Sequence, residues 1–246
     1  MKRSRLDLLL VARGLAESRE KAQRLILAGE VTVEGAPAAK PGHQFPSDCV
    51  IHIRQPERFV SRGGWKLEEA FTRFPALSAT GKICVDIGAS TGGFTDCLLQ
   101  HGASKVYAVD VGKAQLHPRL AADPRVVVFD GRNARHLQAG DLPETPTLAV
   151  TDVSFISLRL ILPAINRLLA PGGETVALIK PQFEAGREEV RRGGVIRDPA
   201  IRQRVIERIR EFGTQTLGWT WLDICQSPIQ GPAGNVEFLS YWRKHP

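Results

Sequence analysis

One short segment limits the fold of this chain more than any other. An apolar run ends in an acid and passes into a glycine-rich turn, in Ile83-Cys-Val-Asp-Ile-Gly-Ala-Ser-Thr-Gly-Gly-Phe94. The pattern predicts a strand at 83–87 and a helix at 93–101. Gly88, Gly92 and Gly93 allow backbone with positive φ and a close approach to a ligand. The segment therefore predicts a strand–turn–helix unit that holds a nucleotide-like ligand.

Strand and helix patterns continue to alternate towards the C-terminus. They predict strands at 105–110, 126–129, 148–152 and 175–180, helices around 114–121, at 157–169 and from Asp198-Pro199 onward, and a terminal β-hairpin at 219–224 and 236–242. This order predicts an α/β fold: a Rossmann-like, doubly wound sheet with a C-terminal β-hairpin. Its ligand is expected at the carboxyl ends of the parallel strands.

The first sixty residues follow a different pattern. Two short helices are predicted, the first stopped by Gly14 and the second capped by Ser18 and closed by Gly29. Short strands at 31–33 and 50–53 follow, with turns between them. The polar joint at 55–58 contains a proline and predicts a domain boundary. We expect a small α+β domain at 1–58 and the α/β domain at 59–246.

Composition excludes some classes of protein. No apolar run is long enough to span a membrane, and the N-terminus has no signal-peptide core, which predicts a cytoplasmic protein. Cys49, Cys84, Cys97 and Cys225 are far apart and form no Cys-x-x-Cys, so buried thiols are favoured over a metal site. The net charge of +7 favours a polyanionic partner. No pattern predicts an oligomeric state.

The residues around the glycine turn distinguish between nucleotide ligands. A dinucleotide fingerprint has Gly-x-Gly-x-x-Gly, but Ser90 takes the place of the middle glycine. Asp86 stands directly before the turn, where a carboxylate repels a pyrophosphate and attracts a cation. S-adenosylmethionine carries an ammonium and a sulfonium and no phosphate. The turn therefore favours this methyl donor and disfavours an NAD-dependent dehydrogenase.

Acids at the ends of the next two strands support the same ligand. Asp110 is placed to accept both ribose hydroxyls, and Asp130-Gly-Arg-Asn133 offers a short polar side chain to the adenine amine. Each acid taken alone is also typical of a turn or a helix cap. Taken together they predict a donor site formed by Asp86, Gly88, Ala89, Ser90, Gly92, Gly93, Phe94, Asp110, Val111, Asp130 and Asn133.

Several charged residues in apolar or glycine-rich settings bear on the methyl acceptor. The fourth strand ends in Thr151-Asp-Val-Ser-Phe155, without the Asn/Asp-Pro-Pro-aromatic motif typical of enzymes that methylate exocyclic base nitrogens. Lys180 closes a buried strand, Lys66 lies in a glycine-rich segment, and Glu237 lies in an apolar one. Each has an ordinary explanation alone, as a surface lysine, a helix-start cation or a strand-face carboxylate. A buried charge, however, usually needs a partner.

The N-terminal segment resembles the small RNA-binding domain found in a ribosomal small-subunit protein, pseudouridine synthases and a tyrosyl-tRNA synthetase. The matching residues are Arg5-Leu-Asp7, Gly14-Leu15, Ser18-Arg19, Ala22, Ile26, Gly29, Val31, Val33-Glu-Gly35 and Lys40-Pro-Gly42. Glu34 stands where that family often has Asn. The resemblance and the basic helices predict RNA contacts at Arg3, Arg5, Arg19, Lys21 and Lys40, with Arg62, Arg132 and Arg187 beside the donor site. The alternatives are a solvated basic face on the helices and ordinary surface arginines beside the site.

Lys66, Asp152, Lys180 and Glu237 occur in the order and settings of the Lys-Asp-Lys-Glu tetrad of the FtsJ-type ribose 2′-O-methyltransferases. Nearly the whole chain resembles the TlyA family, often labelled hemolysin A. The further matching motifs are Ser61-Arg-Gly-Gly-x-Lys-Leu67, Asp86-Ile-Gly-Ala-Ser-Thr-Gly-Gly-Phe94, Asp152-Val-Ser-Phe155, Lys180-Pro-Gln-Phe-Glu184, Gly193-Gly-Val195 and Gly234-Asn-x-Glu-Phe238. This resemblance implies S-adenosylmethionine-dependent 2′-O-methylation of cytidines in small- and large-subunit ribosomal RNA, with the tetrad as catalytic residues.

Alternatives remain for the acceptor of the hydroxyl proton and for the function of the protein. Lys180 is expected to accept the proton of the ribose hydroxyl, or the lysines stay charged and only orient that hydroxyl while solvent takes the proton. A non-catalytic RNA-binding or ribosome-assembly factor could also retain a donor fold, although its mark would be a broken tetrad. A membrane-active hemolysin is disfavoured by the absence of a signal peptide and of a spanning segment.

Overall fold

The computed structural model describes residues 3–38, 40–54, 57–186, 188–190 and 193–246. The chain divides into two compact units, Met1–Arg58 and Phe59–Pro246. Within the described part of the chain, no helix is both long enough and apolar enough to cross a membrane.

The first unit combines two helices with short strands. Its elements are β1 (Arg3–Arg5), α1 (Leu6–Ala12), α2 (Arg19–Leu27), β2 (Val31–Val33), β3 (Ala36–Pro37), β4 (Gln44–Pro46) and β5 (Ile51–Ile53). β1 pairs with β4, and β2 lies between β3 and β5. Ser18 caps α2 as predicted, because its Oγ accepts a hydrogen bond from the Lys21 N–H at 3.2 Å. The buried sides of both helices pack on β2 and form a core of this unit's own.

The second unit alternates strands and helices. Its elements are α3 (Gly63–Arg73), β6 (Ile83–Ile87), α4 (Gly93–Gln100), β7 (Lys105–Asp110), α5 (Pro118–Ala121), β8 (Val126–Asp130), β9 (Leu148–Thr151), α6 (Leu162–Leu168), β10 (Glu174–Ile179), α7 (Pro181–Glu184), α8 (Pro199–Glu211), β11 (Thr220–Gln226) and β12 (Phe238–Arg243). Short 3₁₀ turns cover Ala134–His136 and Leu158–Leu160.

These strands form one seven-stranded sheet among the described residues, in the order β11-β12-β10-β9-β6-β7-β8. The neighbours from β10 to β8 are parallel, whereas β12 runs antiparallel to β10 and forms a hairpin with β11. Apolar clusters cover both faces of the sheet, which explains why β9 and β10 are buried along their whole length. The predicted α/β fold with its terminal hairpin is confirmed.

The register of the sheet brings distant residues to one edge. Ile87 pairs with Thr151 at the end of β9, so Asp152 follows directly beside the glycine turn. Ile179 at the end of β10 pairs with Phe238 at the start of β12. Lys180 and Glu237, each one position beyond that pair, therefore lie at the same end of neighbouring strands.

Two predicted helices differ from the observed ones, and one observed helix was not predicted. The helix expected around 114–121 is only the short α5, because Ala114 adopts a positive φ of 53° in the turn before it. The helix expected at 157–169 is split into a 3₁₀ turn and α6, which has Pro163 in its first turn, where the missing N–H is tolerated. Helix α3 was not predicted, since its two leading glycines are poor helix formers.

Candidate active site

The glycine turn joins β6 to α4 through residues of positive φ. Gly88 has φ 82° and Gly92 has φ 99°, and Ser90 between them has φ 48°. A Cβ atom at Gly88 would lie 3.0 Å from the carbonyl oxygen of Asp152, and one at Gly92 would lie 2.4 Å from the Leu120 side chain. Both glycines are therefore required by the backbone conformation and also by packing.

Gly93 lets the N-terminal ends of α3 and α4 approach each other. A Cβ atom at Gly93 would lie 2.4 Å from Ser61 Oγ and 2.7 Å from the backbone nitrogen of Gly64. This close approach brings Lys66, in the first turns of α3, beside the glycine turn. The sequence motif Ser61-Arg-Gly-Gly-x-Lys thus has a packing explanation.

Asp86 lies behind the glycine turn rather than on its open side. Its carboxylate is fully buried, and Oδ2 accepts a hydrogen bond of 2.7 Å from Thr95 Oγ1. Oδ1 has no hydrogen-bond partner among the described residues. Burial raises the pKa of Asp86 to about 7, and the nearby charges of Asp152 and Asp110 act in the same direction. Asp86 is therefore a buried acid that a nearby cation would stabilise in its ionised form.

Asp110 holds the glycine turn in place. Its two carboxylate oxygens accept hydrogen bonds from the backbone N–H of Ser90 at 2.8 Å and of Gly112 at 2.7 Å. A carboxylate has about four acceptor positions, so it retains capacity for ligand hydroxyls. The turn role that the sequence allows for this acid is therefore observed, and its ligand-binding role stays a prediction.

A cavity of about 440 Å³ opens beside Asp110. Its lining residues include Asp110, Val111, Asn133, Phe155 and Ile156. Asp130, which was predicted to contact the donor, is not among them. Its carboxylate instead accepts a hydrogen bond of 2.7 Å from the Ala114 N–H. Asp130 therefore occupies a turn position, and Asn133 of the same segment lines the cavity, where its Oδ1 accepts a hydrogen bond of 3.1 Å from the Arg135 N–H.

A second cavity of about 280 Å³ adjoins the first. All four residues of the predicted tetrad line it, as do Ala89, Gly93 and Phe94 of the predicted donor site. The two cavities share Gly88, Ser90, Asp152 and Ser154. They therefore form one continuous site along the carboxyl edge of the sheet.

The tetrad forms a chain of alternating charges. Lys66 Nζ lies 2.7 Å from Glu237 Oε2 and 3.4 Å from Asp152 Oδ2, and Lys180 Nζ lies 2.5 Å from Asp152 Oδ1. Both lysine side chains and Glu237 are less than 10% exposed. Two basic and two acidic side chains therefore contact one another at the edge of the cavity.

Ser154 is a member of the site that sequence reasoning missed. Its Oγ accepts a hydrogen bond of 2.8 Å from Lys180 Nζ. The motif Asp152-Val-Ser-Phe155 carried the signal, since any polar residue two positions beyond Asp152 could reach the same edge of the sheet. Phe155 also lines the site and was not predicted as a site residue. It is 90% exposed and has φ 63°, and its ring lies 5.1 Å from that of Phe183.

Residues of three quoted motifs support the site from outside. Asn235 is buried, donates a hydrogen bond to the carbonyl of Gly194, and accepts one from the N–H of Ile196. It thereby ties the Gly193-Gly-Val195 segment to the loop before β12, which carries Glu237. Glu184 accepts hydrogen bonds from Ser157 and from the backbone of Leu158, which holds α7 close to the end of β9.

The predicted RNA contacts occupy different settings. Arg62 lines the smaller cavity and Arg132 the larger one, and both are exposed. Lys21 and Lys40 are exposed on the first unit, and Arg3 donates to the carbonyl of Gln44. Arg5 and Arg19 both donate to the buried carboxylate of Asp7 and so have a structural role as well. Arg187 lies outside the described residues.

The four cysteines are free thiols, as the sequence suggests. One of them has a histidine beside it that the sequence analysis overlooked: Glu68, Cys97 and His101 lie together between α3 and α4. His101 Nε2 lies 2.8 Å from Glu68 Oε2, and its ring stacks on Phe71 at 3.9 Å. The contacts tie the two helices together away from the cavities.

Comparison with protein families separates the chain into the same two parts. Residues 59–244 match the FtsJ-like methyltransferase model, and residues 4–48 match the S4 domain model.

Named relatives extend over nearly the whole chain. A candidate rRNA methyltransferase from Bacillus subtilis (YqxC) is 50% identical over 97% of this chain and 85% of its own length. The 16S/23S rRNA (cytidine-2′-O)-methyltransferase TlyA of Mycobacterium tuberculosis is 43% identical over 98% of this chain and 90% of its own. A solved structure of a candidate hemolysin from Streptococcus thermophilus has a TM-score of 0.75 at 44% identity, covering 100% of this chain and 90% of that one.

Proposed function

The chain belongs to the FtsJ-like methyltransferase family and carries an S4 domain before it, and on this basis we propose that it methylates the 2′-hydroxyl of cytidine ribose in ribosomal RNA. The proposed donor is S-adenosylmethionine. The observation that carries the proposal is the arrangement of Lys66, Asp152, Lys180 and Glu237 around one cavity that adjoins a second, nucleoside-sized cavity.

The residues of the larger cavity fit the methyl donor. Asp110 has free acceptor capacity for ribose hydroxyls, and Asn133 offers an amide to the adenine edge. Apolar side chains of Val111 and Ile156 can cover the faces of a purine. Behind the turn, the unpartnered Oδ1 of Asp86 favours a cationic ligand over a phosphate. When bound, S-adenosylmethionine would supply a methyl group already activated by its sulfonium.

The residues of the smaller cavity fit an alcohol acceptor. In the proposed transfer, a bond forms between the ribose O2′ and the methyl carbon while the carbon–sulfur bond breaks. In this proposal Lys180 Nζ takes the hydroxyl proton, or it orients the hydroxyl while solvent takes the proton. Asp152 contacts both lysines, and Glu237 holds Lys66 on the far side of Asp152 from Lys180.

The substrate class rests on the relatives and on charge. The M. tuberculosis relative is named for cytidine 2′-O-methylation of 16S and 23S rRNA, and the S4 match together with the exposed basic side chains Lys21 and Lys40 supports an RNA partner. Action on ribosomal RNA would take place in the cytoplasm. The intact tetrad geometry favours an enzyme over a non-catalytic assembly factor.

The test is methyl transfer from labelled S-adenosylmethionine to isolated ribosomal subunits, with 2′-O-methyl positions mapped by resistance to alkaline cleavage. We expect label on cytidine ribose with the wild-type protein. Lys180→Ala should bind the donor normally and lose nearly all transfer, whereas Lys105→Ala, at the opposite end of the sheet, should retain it. Label on a base, or near-normal transfer by Lys180→Ala, would contradict the proposal.

A further inference from the structure

Lys180 has two anionic or polar neighbours, and they act differently on it. Its Nζ lies 2.5 Å from Asp152 Oδ1, yet that oxygen has no hydrogen bond of acceptable angle. The hydrogen bond with good geometry goes to Ser154 Oγ at 2.8 Å. A Coulomb attraction has little directional preference, whereas a hydrogen bond does. The direction of the Lys180 amine is therefore set by Ser154.

The position of Ser154 is itself well held. The Asp152 N–H donates to the carbonyl of Ile87 at 3.2 Å, which continues the strand up to the turn. Val153 packs against the apolar cluster on one face of the sheet, and Phe155 turns the backbone away with φ 63°. Ser154 lies between these two anchors and lines both cavities.

We infer that Ser154 is a positioning residue for methyl transfer: its hydroxyl fixes Lys180 so that the amine presents its remaining direction to the acceptor hydroxyl. The inference rests on the proposed function. The nitrogen is tetrahedral: one direction leads to its own side chain and one to Ser154. The other two are available to the Asp152 carboxylate, 2.5 Å away, and to a ligand in the cavity that Lys180 lines.

This direction serves either form of the lysine. A neutral amine with two directed N–H groups holds its lone pair towards the ribose hydroxyl and accepts the proton. An ammonium holds its third N–H there and orients the hydroxyl oxygen. In both cases loss of the Ser154 hydroxyl frees the amine to turn about its contact with Asp152, which removes its fixed direction towards the acceptor and lowers the rate.

Threonine and valine give a matched pair for the test, since they have the same shape and differ in the hydroxyl. Ser154 is exposed, so both variants should fold. With ribosomal subunits as acceptor, we expect Ser154→Thr to keep kcat within about threefold. Ser154→Val should lose roughly 10- to 100-fold, the size expected for a hydrogen bond to a charged group. Donor Kd should be the same in both. Equal kcat in the two variants would overturn the inference.

Crystal structures of the two variants give a second readout that needs no turnover. We expect Lys180 Nζ to keep its position in Ser154→Thr and to move away from position 154 in Ser154→Val; an unchanged position in both would contradict the assignment. If the wild-type protein transfers no methyl to RNA, the proposed function fails and these structures alone decide the role of Ser154. If it does transfer, equal variants refute only the inference.

Discussion

The ammonium of Lys66 lies 2.7 Å from the carboxylate of Glu237, across 171 positions of the chain. Lys66 is 5% exposed and Glu237 is 1% exposed. The pair joins α3 to the C-terminal hairpin and so links the stability of the second unit to the geometry of its candidate site. An ion pair this deeply buried is costly to break from one side.

Glu237→Leu should therefore destabilise the second unit by about 3 kcal/mol, because it leaves the Lys66 charge with only the more distant Asp152. The double variant Lys66→Met, Glu237→Leu should regain most of that stability and no activity. Urea unfolding of the single and double variants measures the coupling. Additive losses in the double variant would show that the pair is not coupled.

Donor binding should depend on the ionisation of Asp86. Burial raises the pKa of this carboxyl to about 7, and a cationic ligand favours the ionised form. Donor affinity should rise from pH 6 towards pH 8, with release of a proton that calorimetry in buffers of different ionisation enthalpy detects. Asp86→Asn should bind more weakly and lose this pH dependence; an equal slope in that variant would exclude Asp86 as its source.

Ionisation of Asp86, which should favour donor binding, should lower the stability of the protein without donor. Its folded pKa lies above the unfolded value of 3.8, so the folded state holds the proton more tightly. Stability should therefore fall as pH rises from about 4 to about 7. Asp86→Asn should flatten that part of the curve in thermal unfolding, and a curve unchanged by the substitution would contradict the prediction.

Gly93 and Gly63 face each other where α3 meets α4, but only one has no room for a methyl group. A Cβ at Gly93 would lie 2.4 Å from Ser61 Oγ, whereas one at Gly63 would lie at an ordinary 3.5 Å from the same atom. Gly93→Ala should cost about 1–3 kcal/mol and weaken donor binding. Gly63→Ala, in the first turn of a helix, should be neutral or slightly stabilising. Equal Tm values for the two variants would contradict this packing argument.

The buried carboxylate of Asp7 should stabilise the folded first unit. The hydrogen bonds from Arg5, above all, hold the pKa of the buried Asp7 carboxyl well below its usual range. Its stabilising effect is therefore present above about pH 4 and lost in stronger acid. Asp7→Asn should lower the Tm of the full-length protein. An Asp7→Asn protein of normal Tm would contradict the structural role of Asp7.

Lys21→Ala should leave Tm unchanged and reduce the salt dependence of RNA binding by about one unit of slope.

Phe155 should contribute to binding of the acceptor nucleotide. An aromatic side chain that is 90% exposed at a cavity edge offers a surface for base stacking, worth about 1–3 kcal/mol. Phe155→Leu should lower kcat/KM for RNA by roughly 5- to 100-fold at saturating donor, with donor Kd little changed. Leu160→Ala, at another exposed apolar position, is the control. A loss confined to donor Kd would instead assign Phe155 to the donor.

Local sequence was sufficient for much of the second unit. The strand at Ile83–Ile87 and the helix that starts at Gly93 were predicted with their correct starts, because an apolar run, an acid and closely spaced glycines act within a few residues of one another. The Ser18 cap of α2 was also predicted from neighbouring residues. Helix α3 was missed because its two glycines are unfavourable locally, and close packing against Phe59 and Gly93 provides the compensation.

The sequence by itself determined the fold class, the glycine turn and the identity of the charged residues that fold into the candidate site. Only the tertiary structure decided how they pair. Asn133 rather than Asp130 faces the larger cavity, Ser154 holds Lys180, and Arg5 and Arg19 bind Asp7. The physical reason is that side-chain pairing depends on strand order and register, and these bring together residues that the chain separates by many positions.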